Sequence, residues 1–314
     1  MSAAHILEIA CAADESYAPH CAAMLVSLLH YNPSTTVHFL HAPGMDEEIL
    51  SRLDKLVCEH GGRFTSHVIP DEWIAGLPRI RKIPPLMWYR VFLPELLPKN
   101  DKILYLDSDI LIADNLSQLN LIDLTKYYVA AVDNVLESEV ENWPSELGIP
   151  TEQGYFNSGV LLLNLALLRA DNICERVLEV GRCSNIRLKW PDQDALNKVL
   201  GQKRVRLHPR WNCQNSLFYY SKAKKHFGDN AVKEATRKPA VIHFEGGIKP
   251  WHYLSKHPFR KIYFKYRHQT PWPDIKLEGE TWFNVMIKPM PTTWTIFVLK
   301  IAQRLHARWK RLWR

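Results

Sequence analysis

Three strand-length apolar runs near the start of the chain are separated by two segments with helical spacing. This alternation restricts the fold more than any other feature of the sequence. The runs are HILEIACAAD (5–14), VHFLHA (37–42) and RFTSHVI (63–69). Between them, YAPHCAAMLVSLLHYN (17–32) ends at Asn-Pro, and MDEEILSRLDKLVCEHGG (45–62) is amphipathic and closes at Gly61-Gly62. Strands alternating with helices of this length build right-handed βαβ units, with helices on both faces of a largely parallel sheet. PLMWYRVFLPELLP (85–98) predicts a further helix, and KILYLDSDILIADN a strand with a polar end. KYYVAAVDN (126–134) and GVLLLNLALL (159–168) add strand material, and KWPDQDALNKVLG (189–201) opens a helix. KRVRLHPRWN and KPAVIHFEGG read as late strands. The expected class is α/β, a mostly parallel mixed sheet flanked by helices.

At 314 residues and 46% hydrophobic, the chain has ample material for one large packed domain. The opening MSAAHILEIACAADESY lacks the basic start of a secretory leader. No uninterrupted apolar run approaches the roughly 20 residues that span a bilayer. The six cysteines form no C-x-x-C pair and read as free thiols of a reducing cytosol, mostly filling the core. The net charge of +7 invites a nucleic-acid reading, but its location argues against one. After Glu280 there is no acidic residue, while Lys288, Lys300, Arg304, Arg308, Lys310, Arg311 and Arg314 follow. Without those seven, 33 basic residues face 33 acidic ones. The body is neutral, so no nucleic-acid partner is expected.

The polar end of ILYLDSDILI carries the chemistry. Ligands of open α/β sheets bind beyond the carboxyl ends of strands, which is where Asp107 and Asp109 fall. On an extended backbone an i, i+2 pair projects both carboxylates to one side. Two hard oxygen ligands so placed suit Mg²⁺ or Mn²⁺ bound to phosphates. The plain alternative is a turn closed by two solvated carboxylates. HFEGGIKPW (243–251) follows the apolar PAVI, so His243 also ends a strand, and an imidazole beside two carboxylates favours Mn²⁺ over Ca²⁺. Gly246-Gly247 allows close backbone approach, and Lys249 supplies a cation for a phosphate. Taken singly, His243 reads as a structural histidine and Gly-Gly as a turn; with the acid pair they resemble a diphosphate site.

AADESY (12–17), LDSD (106–109), YFNSGVLLLNL (155–165), DQDALN (192–197) and HFEGGIKPW (243–251) occur in the order and spacing of family 8 glycosyltransferases. Over residues 5 to about 252 the chain resembles the bacterial lipopolysaccharide galactosyl- and glucosyltransferases and, more distantly, glycogenin. The resemblance implies a GT-A-type nucleotide-sugar-binding fold, a UDP-galactose or UDP-glucose donor, Mn²⁺ with Mg²⁺ as the substitute, and transfer with retention. It implies Asp107, Asp109 and His243 as metal ligands. For the donor it implies Ala12, Asp14 and Tyr17 on the first-strand loop, with Asp14 on the uracil, and Arg90, Ser108, Asn157, Gly246 and Lys249 around sugar and phosphates. Ser16 stands where some members have Asn. Asp192 would bind the donor sugar and Gln193 would lie near the anomeric carbon, making these two the catalytic residues. Each has a structural alternative: Asp14 or Asp192 as a helix cap, Asn157 as a turn residue, Arg90 as a snorkelling surface side chain.

From Trp294 to Arg314 one helical face carries Trp294, Val298, Ile301, Leu305, Trp309 and Leu312, with Lys300, Arg304, Arg308, Arg311 and Arg314 opposite. Such a basic amphipathic tail reads as an anchor on an anionic membrane, or else as a helix docked on the domain. The expected organisation is a catalytic domain over 1–255, a connecting segment over 256–280 and a membrane-associating tail over 281–314. The expected place is the inner face of the cytoplasmic membrane, with lipopolysaccharide core or another saccharide or glycolipid as acceptor. The stretches 135–153 and 216–229 are expected to shape the acceptor pocket. Two rival readings are an aspartyl-phosphate phosphatase, disfavoured by Leu111 four residues after Asp107 and by the strands before it, and an inactive sugar-nucleotide fold that binds membrane glycolipid.

Overall fold

Nine strands organise the chain. They are β1 (Glu8–Ala12), β2 (Thr36–His41), β3 (Arg63–Val68), β4 (Lys102–Leu106), β5 (Ile110–Ile112), β6 (Val129–Ala131), β7 (Val160–Asn164), β8 (Arg204–Arg206) and β9 (Val241–His243). The computed structural model describes residues 7–79, 85–274 and 276–291, with Trp294, Thr295, Val298 and Ile301 beyond them. Seven strands form one sheet in the order β3-β2-β1-β4-β7-β6-β8, and β5 pairs with β9 in a small antiparallel sheet. In the large sheet every pairing is parallel except the two made by β7, which runs against β4 and β6. The mostly parallel mixed sheet read from the sequence is borne out.

Counting helices of six residues or more, α1 is Ala18–Tyr31, α2 Glu47–Glu59, α3 Leu165–Ala170, α4 Ile173–Arg182, α5 Pro191–Leu200, α6 Lys222–Phe227, α7 Asp229–Arg237, α8 Arg260–Arg267 and α9 Trp282–Ile287. Strand alternation sorts the core between the two faces. Ile9, Cys11, Leu104, Leu106, Val160 and Leu162 face α1 and α8. Ala10, Ala12, Ile103, Tyr105, Leu161 and Leu163 pack with residues of α3, α4 and α5. Local chemistry sets the helix ends. Asp46 accepts from Glu48 N at 2.8 Å to start α2, and Gly61, at φ +82°, lets the chain leave it. A Cβ at Gly62 would lie 2.8 Å from Leu29 and Val57, so glycine there also permits α1 and α2 to close up.

Three elements differ from expectation. Residues 85–92 form a 3-10 helix rather than an α-helix, followed by one short turn, Leu93–Leu96. Pro94 explains the break, since its ring excludes the carbonyl four residues back and it donates no N–H. GVLLLNLALL is a strand only as far as Asn164, whose side chain accepts from Leu167 N at 3.0 Å and starts α3. KILYLDSDILI is two strands, β4 and β5, in different sheets. Asp107 and Asp109 therefore sit in the turn between sheets, not on extended backbone.

Leu162, fully buried at the centre of β7, and Leu121, 82% exposed, are expected to respond very differently to alanine. Leu162→Ala should cost about 2–5 kcal/mol through lost burial and a residual cavity, and Leu121→Ala less than about 0.5 kcal/mol. Urea midpoints check this, and equal shifts would refute the assigned core.

Candidate active site

Sheet order places the site. The chain builds outward from β1 through β2 to β3, then returns to lay β4 on the other side of β1. Ligands of open α/β sheets bind at such a reversal, beyond the carboxyl ends of the strands. The loop 13–17 leaves β1 here, and the Asp107–Asp109 turn leaves β4. Because β7 is antiparallel, its beginning lies beside the end of β4, with Leu106 opposite Val160 and Asp107 N bonded to Gly159 O at 2.8 Å. β9 runs against β5 and sets His243 opposite Ile110, next to Asp109.

One ligand atom from each of Asp107, Asp109 and His243 lies within 4.8 Å of the others. Asp109 Oδ1 is 3.4 Å from His243 Nε2 and is buried without a hydrogen-bond partner. The other ring nitrogen is committed: His243 Nδ1 donates to Asn212 Oδ1 at 2.9 Å, and Asn212 Nδ2 donates to Asn157 Oδ1 at 2.9 Å. Since the Asn212 amide uses its N–H₂ on Asn157, its oxygen must accept, which leaves Nε2 aimed at the carboxylates. A Cβ on Gly159 would come within 2.5 Å of the imidazole and 2.7 Å of Asp107 Oδ2, so only glycine leaves this space open.

Cations bracket the acids. Arg90 is only 5% exposed, 3.0 Å from Asp107 and 3.6 Å from Asp192, and it lies 4.4 Å over the Tyr105 ring. It also donates to Ser158 O. Burial opposes its charge, yet Asp107, Tyr105 and Asp192 hold the guanidinium above its usual value. The surface-snorkelling alternative is therefore excluded. Lys249 donates to Asp109 and, at 2.8 Å, to Phe244 O. For Asp109 too burial opposes ionisation, but Lys249 and His243 keep the carboxyl below its ordinary range.

The start of α5 completes the wall. Gln193 Oε1 accepts from Ser158 N at 3.0 Å, and Gln193 Nε2 donates to Tyr155 Oη at 3.1 Å. Tyr155 in turn donates to Asp194 at 2.5 Å. Asp194, fully buried, also accepts from Lys189 N at 2.7 Å and Trp190 N at 3.0 Å, so it rather than Asp192 ties down this helix start. Asn197 accepts from Phe156 N at 2.7 Å and donates back to Phe156 O at 2.9 Å, fixing the segment that leads into Asn157. Burial lifts the Asp192 carboxyl to about 6, with Arg90 opposing and Asp107 reinforcing.

The structure thus brings Asp107, Asp109, His243, Arg90, Asn157, Asp192, Gln193 and Lys249 together, with Ser108 buried in the acidic turn. Ala12 is the last residue of β1. Asp14 accepts from Tyr17 N at 2.9 Å, the capping geometry weighed above. Tyr17 packs edge-on against Trp251, near enough to Lys249 and Asp109 to feel their charge. Gly246, at φ +80°, makes the turn that returns Lys249 to the acids. Sequence reasoning missed Asn212, Gly159, Tyr155, Asp194 and Asn197 as contributors. Asp194 and Asn197 lie within DQDALN and Gly159 and Tyr155 within YFNSG, but WNCQN carried no signal.

Among solved structures, the galactosyltransferase LgtC in complex with donor and acceptor sugar analogs matches with a TM-score of 0.74 at 27% identity, over 84% of this chain and 96% of that one. The fold is of the GT-A type and the protein is a glycosyltransferase. Residues 8–255 match glycosyl transferase family 8. The chain is 30% identical over 277 residues to general stress protein A of Bacillus subtilis (strain 168), spanning 86% of this chain and 96% of that protein. It is 27% identical over 277 residues to lipopolysaccharide 1,3-galactosyltransferase of Salmonella typhimurium, spanning 86% and 80%. The chain belongs to glycosyl transferase family 8.

Because the Asp192 carboxyl is raised in the fold, its ionised form costs stability at high pH, and the cost fades as pH falls through about 6 toward the ordinary carboxyl value. Asp192→Asn is expected to raise stability at pH 8 by on the order of 1–3 kcal/mol, and by only about a third as much at pH 4.5. Calorimetry at the two pH values checks it; a gain of equal size at both is the contrary result.

Proposed function

We propose that this chain is a retaining hexosyltransferase that moves galactose or glucose from a UDP-sugar to a saccharide acceptor, of which lipopolysaccharide core is the favoured case, and that it uses Mn²⁺. The observation that carries the reading is the convergence of Asp107, Asp109 and His243 beside Lys249 and Arg90 at the sheet's reversal point. The donor set suits a divalent ion: hard carboxylates with one imidazole whose second nitrogen is engaged, an Asp109 oxygen lacking any other partner, and a glycine-sized opening beside them. Mn²⁺ held by those three side chains would offset the charge that develops on the diphosphate. Mg²⁺ is the substitute by the same oxygen chemistry.

The remaining steps belong to the chain's own residues. Lys249 stands beside Asp109, where an ammonium can meet the departing diphosphate as its charge grows. Ala12, Asp14 and Tyr17 border the end of β1 and are assigned to the uridine; Ser108, Asn157 and Gly246 line the turns around the acids and are assigned to the donor. Asp192 accepts from the sugar hydroxyls. Gln193, an amide pinned by Ser158 and Tyr155, is a poor nucleophile and is held in place, so it supports the sugar face rather than bonding to it. The bond from the anomeric carbon to the phosphate oxygen breaks, the acceptor oxygen bonds to the same face, and its proton passes to the released phosphate oxygen.

A screen of UDP-sugar hydrolysis with and without Mn²⁺ tests the assignment. Wild type should hydrolyse one UDP-hexose only with the ion, and Asp109→Ala should lose at least about a hundredfold, as expected when an ion's ligand is removed. Gln193→Ala should be weakened but measurable. Activity in Asp109→Ala, or a glycosyl adduct on Gln193 or Asp192, would overturn the mechanism.

The domain bounds read from the sequence, 1–255, 256–280 and 281–314, enter the proposal with the last as the part that meets the inner face of the cytoplasmic membrane. Lys300 and residues 302–314, and with them the whole basic face, lie outside the described residues. No helix among the described residues is long and apolar enough to cross a membrane. Support comes from α9, which exposes Trp282 (76%) and Met286 (66%) four residues apart, and from Trp294, 61% exposed. Flotation with anionic liposomes is expected to carry the full chain and leave a 1–280 truncation behind. Equal behaviour of the two would remove the anchor.

A further inference from the structure

We infer that the acceptor side of this site is built for a sugar carrying an oxyanion substituent, a phosphate monoester or a carboxylate, received by Lys225. The inference rests on the transferase reading above and adds the chemical class of the acceptor. A cavity of about 440 Å³ opens between the segment that follows β6 and helix α6. That volume is typical of small-molecule sites. Tyr155 forms part of its wall, and the hydroxyl of the same residue holds Gln193 Nε2 at 3.1 Å. A molecule in the cavity is thus one side chain away from the residue assigned to the anomeric carbon.

The charges around this cavity do not cancel. Lys222, Lys225 and His226 line it from α6, at the i, i+3, i+4 spacing that places them on one helical face. Lys222 pairs with Glu141 across the cavity. His226 Nε2 lies 3.0 Å from Asp133, which is also 2.6 Å from Arg204. For Asp133 burial opposes ionisation, but His226 and Arg204 hold the carboxyl below its usual range. Glu141 and Asp133 therefore each have a cation, Glu137 accepts from Tyr220 Oη at 2.7 Å, and the two ion pairs anchor α6 on either side of Lys225. Lys225 is exposed and has no acidic partner among the described residues. A compact ammonium left unmatched at the mouth of a partly enclosed cavity attracts an oxyanion, and the apolar lining of Val135, Leu136 and Pro144 weakens competition from water.

The experiment uses the full chain, its preferred UDP-hexose, and three matched acceptors: a neutral oligosaccharide, its phosphate monoester and its uronic-acid counterpart. Wild type should favour an anionic acceptor over the neutral one by about tenfold in kcat/KM, as one charge-assisted contact predicts. The phosphate and carboxylate arms identify which oxyanion the site takes. In Lys225→Glu that preference should vanish, and in Lys225→Arg it should persist. Equal use of all three acceptors by wild type, or an unchanged preference in Lys225→Glu, overturns the inference. Hydrolysis of the UDP-sugar by wild type without acceptor separates the two failures. Hydrolysis with no anion preference sinks this inference alone; no hydrolysis of any UDP-hexose sinks the transferase reading and this inference with it.

Discussion

Two carboxylates in one half-buried turn are the constraint to which the rest of the structure answers. Asp107 and Asp109 are about one-quarter and one-seventh exposed, and like charges this close repel unless cations are supplied. The fold supplies them from distant parts of the chain, Arg90 from a 3-10 helix and Lys249 from a glycine turn, and it sets the His243 ring beside them at the end of β9. None is a solvated surface pair. An arginine 5% exposed between two acids is costly to bury alone and costly to lose, which makes the arrangement a device for holding charge in place.

A second layer gives those groups their directions. The Asn157–Asn212–His243 chain fixes which imidazole nitrogen is left for the acids, while Tyr155, Asp194 and Asn197 lock the start of α5 against the segment that leads into Asn157. A catalytic constellation must be held within a fraction of an ångström, and hydrogen bonds from buried side chains provide that stiffness. The site thus depends on segments from separate parts of the chain, held in place by these buried hydrogen bonds. The reversed strand β7 is the architectural piece that makes this work, because only an antiparallel neighbour brings the Asn157–Gly159 turn to the carboxyl end of β4.

Much of this was legible in the sequence. Strand-length apolar runs separated by helically spaced segments specified the βαβ opening, because those patterns answer to local backbone geometry. The acid pair and His243 stood out because together they gather ligand groups at the ends of apolar runs, with Lys249 shortly after, and Gln193 was assigned through the resemblance to family 8 glycosyltransferases. Less visible were the elements that depend on remote partners. Residues 85–92 carried a helical apolar pattern, yet Pro94 and the capture of Arg90 by Asp107 left them a 3-10 helix. LDSD read as one strand's polar end, while its two flanks were bound for different sheets.

What the sequence by itself determined was the set of chemical groups and the class of layered fold, since both follow from residue types and their periodicity over a few turns of chain. Tertiary structure alone decided the strand order, the reversal of β7, the service of Asn212 to His243 and the leftover charge of Lys225. Each of those is a relation between positions tens of residues apart or more. Which partner a buried amide or an ammonium finds is settled only when packing fixes the distance between them.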